Sequence, residues 1–466
     1  MPGGTILQSK KAIAALTILG AFASASHGQT EDELIAARLQ VFDKTMAVLR
    51  DNHYLKGRYD ALAADIERVR VDISNGRQDF FEAVDALAQS FDSRTSFSKI
   101  VFKKRKRDAN ALGFAALGLI TQKTGARLLV DRVFFNTSGF GAGLKHGDAI
   151  VSIDGKSVTE MNTAGIDEAV CNDFADFTQI GIARGKGKAV IQHDLECNYD
   201  TEHAVEMRVI NDKIGYIKID SFVEFVDFDV QEAIQTMRKT HPGVKSYILD
   251  LRDNTGGQAL AAQSLVDLFV DSGDVSMIKK IRDDSGNVYN TPGDHAQAAP
   301  LVVLVNHDSW SAAELAPMAL QYHRRAKIVG TITGGKGTSQ RTFSIFPNRL
   351  RSFLPGGALT ITESVITMPD GNSHQLKGVI PDVQVLSNLL PAKAPREADM
   401  KLAIPNPMGG ALTPAEKART ETCEVHADFK GAAVYGHDGK IDPILTCGVM
   451  VLRNQTQAKA AAFVPR

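Results

Sequence analysis

Leu301-Val302-Val303-Leu304-Val305-Asn306-His307-Asp308-Ser309-Trp310-Ser311-Ala312-Ala313-Glu314 carries the decisive change of pattern in this chain. Five consecutive aliphatic residues read as a strand. A polar turn follows, and Ala312 to Arg325 reads as a helix. A short apolar strand, Ala326 to Val329, comes next, and then Gly334-Gly335-Lys336-Gly337-Thr338-Ser339-Gln340. Strand, helix and strand in this order indicate a βαβ unit. Outward from it, Ile214–Ile219 and Ser246–Leu251 read as strands, and Asp227–Thr240 and Ala259–Leu268 as helices. Residues 201–390 are therefore expected to form an α/β core.

Ser311 and Lys336 are the residues of this core with the most chemistry to offer. A serine hydroxyl is a weak nucleophile at neutral pH and needs a base. A lysine whose ammonium is destabilised by burial can supply one, without any histidine. Each half also has a structural or rival reading. Ser311 with Glu314 three residues on is a helix capping box. Gly330-Thr331-Ile332-Thr333-Gly334-Gly335-Lys336 nearly spells a phosphate-binding loop, but Gly337 stands where Ser or Thr would hold magnesium.

Taken together, the order and spacing of the motifs resemble the carboxyl-terminal processing, or tail-specific, serine peptidases. Ser311-Ala312-Ala313-Glu314 and Gly335-Lys336-Gly337-Thr338-Ser339-Gln340 match that family's Ser-Ala-x-Glu and Gly-Lys-Gly-Thr-x-Gln segments. Asp250-Leu251-Arg252-Asp253-Asn254-Thr255-Gly256-Gly257 matches its Asp-Leu-Arg-x-Asn-x-Gly-Gly turn. Gly378-Val379-Ile380-Pro381-Asp382 matches its Gly-x-x-Pro-Asp. The resemblance implies a ClpP/crotonase-like core with Ser311 as nucleophile, Lys336 as general base and Gln340 orienting the lysine. Ala312 N–H, with Gly256 or Gly257 N–H, would form the oxyanion hole. The implied substrates are proteins or peptides with free C-termini, cleaved without cofactor or metal. A retired peptidase kept as an exported peptide-binding scaffold is the competing class. Trp310 departs from the family, which places a small residue before the nucleophile. Phe91-Asp92-Ser93-Arg94-Thr95-Ser96 resembles its Asp-x-His-Thr-Ser stretch, with Arg94 for histidine and away from the proposed chemistry.

The flanks give a multidomain α/β layout. Residues 1–28 read as a signal peptide. Lys10 and Lys11 precede an apolar run too short to span a bilayer, and Ala23-Ser24-Ala25 offers a cleavage site, after Ala25 or Gly28. The mature chain would then be periplasmic or secreted, with no stable membrane span. Residues 29–107 read as helical, with helical spacing in Glu31–Leu49, Ala61–Val71 and Phe80–Phe91. Lys103-Lys104-Arg105-Lys106-Arg107 reads as a solvated linker.

Residues 108–200 read as a PDZ-like β-rich module. Leu112-Gly113-Phe114 resembles a carboxylate-binding loop, and Ser138 to Ile150 resembles the family's Ala-Gly-Leu-x-x-Gly-Asp-x-Ile turn. Such modules add a peptide as an extra strand. Residues 391–466 begin with Pro391, Pro395, Pro405 and Pro407, a linker signature, and form a small C-terminal extension with a cysteine pair. The four cysteines lie in two local pairs. Export would join Cys171 to Cys197 and Cys423 to Cys447, although four cysteines allow three pairings. Formal charge is −1, from 53 Lys and Arg against 54 Asp and Glu. That balance offers no case for nucleic acid as a partner. Oligomeric state is not legible.

Overall fold

The computed structural model describes residues 30–55, 57–100, 113–172, 175–184, 189–198, 203–280, 286–291, 297–347, 356–392, 394–407, 420–436 and 438–462. The signal peptide, the basic run 103–107 and Leu112 lie outside the described residues.

Helices Glu31–Asn52, Ala63–Ser74 and Phe80–Gln89, with a single helical turn Arg58–Ala61 after the first, open the described chain. The first is started by a reciprocal cap. The Thr30 hydroxyl accepts from Glu33 N–H, and the Glu33 carboxylate accepts from Thr30 N–H. The helices close around Phe42, Leu49, Ile73, Phe80 and Phe91. The chain then enters β1 (Ser96–Lys99), which pairs antiparallel with Gly357–Thr367 (β16). The helical region is thereby stitched to the core by a strand.

Next comes an antiparallel sheet of β2 (Leu119–Thr124), β3 (Arg127–Val133), β4 (Ala149–Ile153), β6 (Phe177–Ala183) and β7 (Ile191–Glu196), in that spatial order. The short β5 (Lys156–Ser157) pairs with β4 across Asp154 and Gly155. Both turn residues have positive φ, 46° and 76°, as a two-residue hairpin loop requires. Disulfide Cys171–Cys197 closes this unit, and β2 lies at the sheet edge.

The core is a seven-stranded sheet. It contains β8 (Val205–Ile210), β9 (Ile214–Ile219), β10 (Ser246–Asp250), β13 (Leu301–Val305), β14 (Lys327–Gly330), β17 (Val383–Leu386) and β18 (Glu421–Glu424). All neighbours are parallel except β8 and β9. Every residue of β10 and β13 is buried, as expected for parallel strands covered on both faces. A second sheet adds β11 (Gly273–Lys280), β12 (Gly286–Thr291) and β15 (Thr338–Ile345) around β16. The helix Ala312–Tyr322 is buried from Ala312 through Leu320, which explains why its sequence is apolar on every side.

Because β10, β13 and β14 run parallel, the turns at their carboxyl ends emerge on one edge of the sheet, the usual place for a site in an open α/β sheet. Those turns hold Asp250–Gly257, Asn306–Ser311 and Thr331–Lys336. The residues after 391 do not hang from this core. Strand β18 extends the sheet, and Leu445, Cys447, Val449 and Leu452 of the C-terminal helix Pro443–Ala462 pack on Val302, Leu304 and Val329. Disulfide Cys423–Cys447 ties that strand to that helix. Within the proline-bearing stretch that read as a linker, Arg396 and Glu397 donate to the carbonyls of Thr333 and Gly334 in the turn after β14.

Candidate active site

The turn leading to Ser311 is shaped by hydrogen bonds to the turn after β10. Ser309 Oγ donates to Leu251 O at 2.8 Å, and Trp310 N–H donates to Asn254 O at 2.9 Å. Asn306 accepts from Asp253 N–H at 3.0 Å and donates back to the Asp253 carboxylate at 2.7 Å. The turn after β10 is itself anchored from beneath. Arg252 forks onto the buried Asp250 and reaches Asp442 at 2.7 Å, while Tyr216 donates to Asp250 at 2.7 Å. The Arg252 and Lys218 charges outweigh burial and hold the Asp250 carboxyl well below its ordinary range.

These constraints leave Ser311 at φ 56°, ψ −116°. A helix N-cap ordinarily has an extended backbone, so capping alone does not require this geometry. A non-glycine residue held there stores strain, as functional residues commonly do. The half of the expected capping box that involves the Glu314 side chain is present, since Ser311 N–H donates to Glu314 Oε2 at 2.8 Å.

Glu314 has a larger part than the sequence implied. It is fully buried. Gly335 N–H donates to its Oε1 at 2.7 Å, and Lys336 N–H to its Oε2 at 2.8 Å. The Thr333 hydroxyl donates to it as well. The backbone nitrogens of Ser311 and Lys336 thus reach one oxygen atom. This also disposes of the phosphate-loop reading. The anion that the glycine-rich loop encloses is a carboxylate of the same chain, and Gly337 N–H is taken by Gln375 Oε1 at 2.7 Å.

Lys336 is half-buried. Burial pushes its pKa down, the Arg94 charge adds to that, and the Glu397 and Glu314 carboxylates oppose it. Its carbonyl accepts from His374 Nε2 at 2.9 Å. His374 is fully buried, which disfavours its charged form, and among the described residues its Nδ1 has no hydrogen-bond partner. Sequence reasoning did not single out His374. Its only local signal is its place in the segment leading to Gly378-Val379-Ile380-Pro381-Asp382. Asp382 of that motif accepts from Ile328 N–H at 2.8 Å and so fixes β14.

Gly256 and Gly257 sit beside the serine. A Cβ on Gly256 would come within 2.9 Å of Ser311 Cβ and 3.2 Å of Ala312 N. The Gly256 N–H already donates to Asn254 Oδ1 at 2.8 Å, so of the two amides it is the one Asn254 engages. Among the described residues, the Gln340 amide donates to Thr338 at 2.9 Å and to Thr362 at 3.4 Å, and not to Lys336. Gly113 and Phe114 lie far along the chain, at the start of a 3-10 helix, Gly113–Leu117, that precedes β2. Gly113 has φ 43°, and Phe114 is buried in the hydrophobic core under the β2–β7 sheet.

Arg94 is a correction. The sequence placed it away from the chemistry, but its guanidinium lies 5.7 Å over the Trp310 ring and pairs with Glu397. The separation along the chain concealed this contact. Trp310 in turn rests on Gly334, where any side chain would collide with its indole.

A family profile described as Peptidase family S41 matches residues 213–385. A relative from Bartonella bacilliformis named carboxy-terminal-processing protease is 30% identical over 339 residues, covering 70% of this chain and 74% of its own. Carboxy-terminal processing protease CtpA of Bacillus subtilis is 27% identical over 343 residues, covering 70% and 69%. Among solved structures, a photosystem II D1 C-terminal processing protease aligns at 22% identity and a TM-score of 0.44, covering 74% of this chain and 92% of that one. On these matches the chain belongs to Peptidase family S41 and is a serine-type peptidase of the carboxy-terminal-processing group.

Proposed function

We propose that this peptidase cleaves protein substrates with a Ser311–Lys336 dyad and selects them by their C-terminal tails. The observation that carries the reading is the shared carboxylate of Glu314, which accepts from the amides of both residues. Neutral Lys336 takes the proton from Ser311 Oγ as that oxygen attacks the scissile carbonyl. The tetrahedral oxyanion would be met by Ala312 N–H, at the positive end of the Ala312–Tyr322 helix, and by Gly257 N–H. The lysine then returns the proton to the leaving amine. Water hydrolyses the acyl-enzyme by the same route. The role of Gln340 in orienting the lysine rests on the family resemblance.

Tail selection is assigned to the PDZ-like module, residues 108–200, with Leu112, Gly113 and Phe114 at the carboxylate-binding loop. An edge strand β2 after that loop supports the assignment, because an added peptide strand needs a free edge. The remaining layout is a helical region at 29–107, a ClpP/crotonase-like core at 201–390, and an extension at 391–466 that completes the core. Export through residues 1–28 fits the two disulfides. Among the described residues no helix is long and apolar enough to cross a membrane.

The test is to incubate residues 29–466 with an unfolded protein carrying an apolar C-terminus, beside Ser311→Ala and Lys336→Arg. Both variants should stay folded and inactive, because a guanidinium remains protonated at any usable pH. Near wild-type turnover by either would remove the dyad. Equal cleavage of a substrate with an amidated C-terminus would remove tail selection alone.

A further inference from the structure

Among the described residues, four charged or titratable side chains gather around the Lys336 loop from four different elements. Glu314 comes from the Ala312–Tyr322 helix and His374 from the turn before β17. Arg94 comes from the turn after the Phe80–Gln89 helix, and Glu397 from the C-terminal segment. Glu314 and His374 are engaged with the backbone of the lysine loop. Arg94 and Glu397 are engaged with each other. The Arg94 Nε donates to Glu397 Oε2 at 3.1 Å, and Nη2 donates to the same oxygen. Glu397 is fully buried, and its backbone N–H donates to Gly334 O at 3.0 Å. Gly334 N–H in turn donates to Ser309 O at 3.0 Å, and its bare Cα faces the Trp310 ring. Arg94 lies over that ring. The turn carrying Arg94 is fixed independently by Asp92, which accepts from Arg94 N–H at 2.6 Å, and by Ser93 N–H on Leu402 O at 3.2 Å.

We propose that Arg94 is a positioning residue of the peptidase. Held by Glu397 and laid over Trp310, it clamps the serine loop to the lysine loop and sets the electrostatic field at Lys336. The inference rests on the dyad reading. It goes beyond that reading by giving the helical region and the C-terminal segment a shared role in catalysis. A cation near the base favours its neutral, proton-accepting form, and a carboxylate favours the charged form. Arg94 and Glu397 therefore pull Lys336 in opposite directions, consistent with the direction each exerts on it. The pairing keeps the charge of Arg94 in place without leaving a buried carboxylate unpartnered.

Arg94 and Glu397 act in opposite directions on the field at Lys336, which makes the inference testable. kcat/KM for cleavage of an unfolded protein would be measured against pH for wild type, Arg94→Gln, Glu397→Gln and the double variant. Thermal melts would be recorded in parallel, and Lys336→Ala would serve as the control. Arg94→Gln should move the rising limb to higher pH. Glu397→Gln should move it to lower pH, and the double variant should fall between them. Limbs that stay in place, or that move in the same direction in both single variants, would overturn the inference in an enzyme that still requires Lys336. An active Lys336→Ala protein would overturn the dyad itself, a distinguishable result.

Discussion

The backbone N–H groups of Ser311 and Lys336 donate to the same atom, Oε2 of Glu314, each at 2.8 Å. Ser311 and Lys336 are thus gauged against one buried oxygen rather than against each other. Replacing Glu314 by Gln keeps the shape but turns an amide group toward N–H donors that need an acceptor. Glu314→Gln should lose about 3 kcal/mol of stability, because several buried donors are left unmet at once. It should also lose most activity at temperatures where it remains folded. Chemical denaturation and kcat measured on the same preparation check this. A stable, active variant would show that the carboxylate is dispensable.

Lys336 is held below its ordinary pKa in the folded chain, chiefly by burial. In the window between the folded and unfolded values, the unfolded chain binds more protons, so stability rises with pH there. Below that window both states carry the charge, and the cost of burying it is felt in full. Lys336→Met should therefore be inactive yet melt higher than wild type. The difference should be largest at low pH and shrink as pH climbs toward the ordinary lysine value. Melting curves across pH check the sign; a variant that melts lower throughout would contradict it.

Gly256 and Gly257 have φ of 111° and 135°, where a side chain is strained in any surroundings. A Cβ on Gly256 presses on Ser311, whereas one on Gly257 comes within 2.3 Å of the Phe222 carbonyl oxygen. Gly256→Ala should fold and lose about 10²-fold in kcat through displacement of the serine. Gly257→Ala should lose more stability, because its Cβ would come within 2.3 Å of backbone, against 2.9 Å for Gly256 and the Trp310 carbonyl oxygen. Parallel kinetics and melts distinguish the two; equal behaviour of the two variants would count against this placement of the turn.

The disulfides close loops of similar length, with sequence separations of 26 and 24. Replacing either pair by serine should cost about 3 kcal/mol on chain-entropy grounds. The consequences should differ by site. Loss of Cys423–Cys447 frees the strand and helix that complete the catalytic sheet, so its unfolding should carry the active site with it. Loss of Cys171–Cys197 should leave the core transition intact. Denaturation followed through Trp310, the chain's only tryptophan, separates these outcomes.

The chain by itself determined what depends on near neighbours. Strands β9 and β13 run as their aliphatic stretches indicate, and the Ala312–Tyr322 helix starts directly after Ser311, because hydrophobic runs and helix starts are local properties. Ser-Ala-x-Glu and Gly-Lys-Gly-Thr could be read for the same reason: each is a short segment whose glycines and helix start shape its own backbone. Tertiary structure decided the partners. Glu314 read as a cap for its own helix, yet it also closes the lysine loop 21 and 22 residues away. Arg94 read as remote, yet it meets Glu397 across 303 residues. The proline-bearing stretch after 391 read as a linker, yet Glu397 N–H bonds to Gly334 and Asn406 donates to Ser373 and Gln375. Such contacts depend on the order in which strands assemble into a sheet and on which turns that order brings to one edge. No local pattern of hydrophobicity or charge encodes that order.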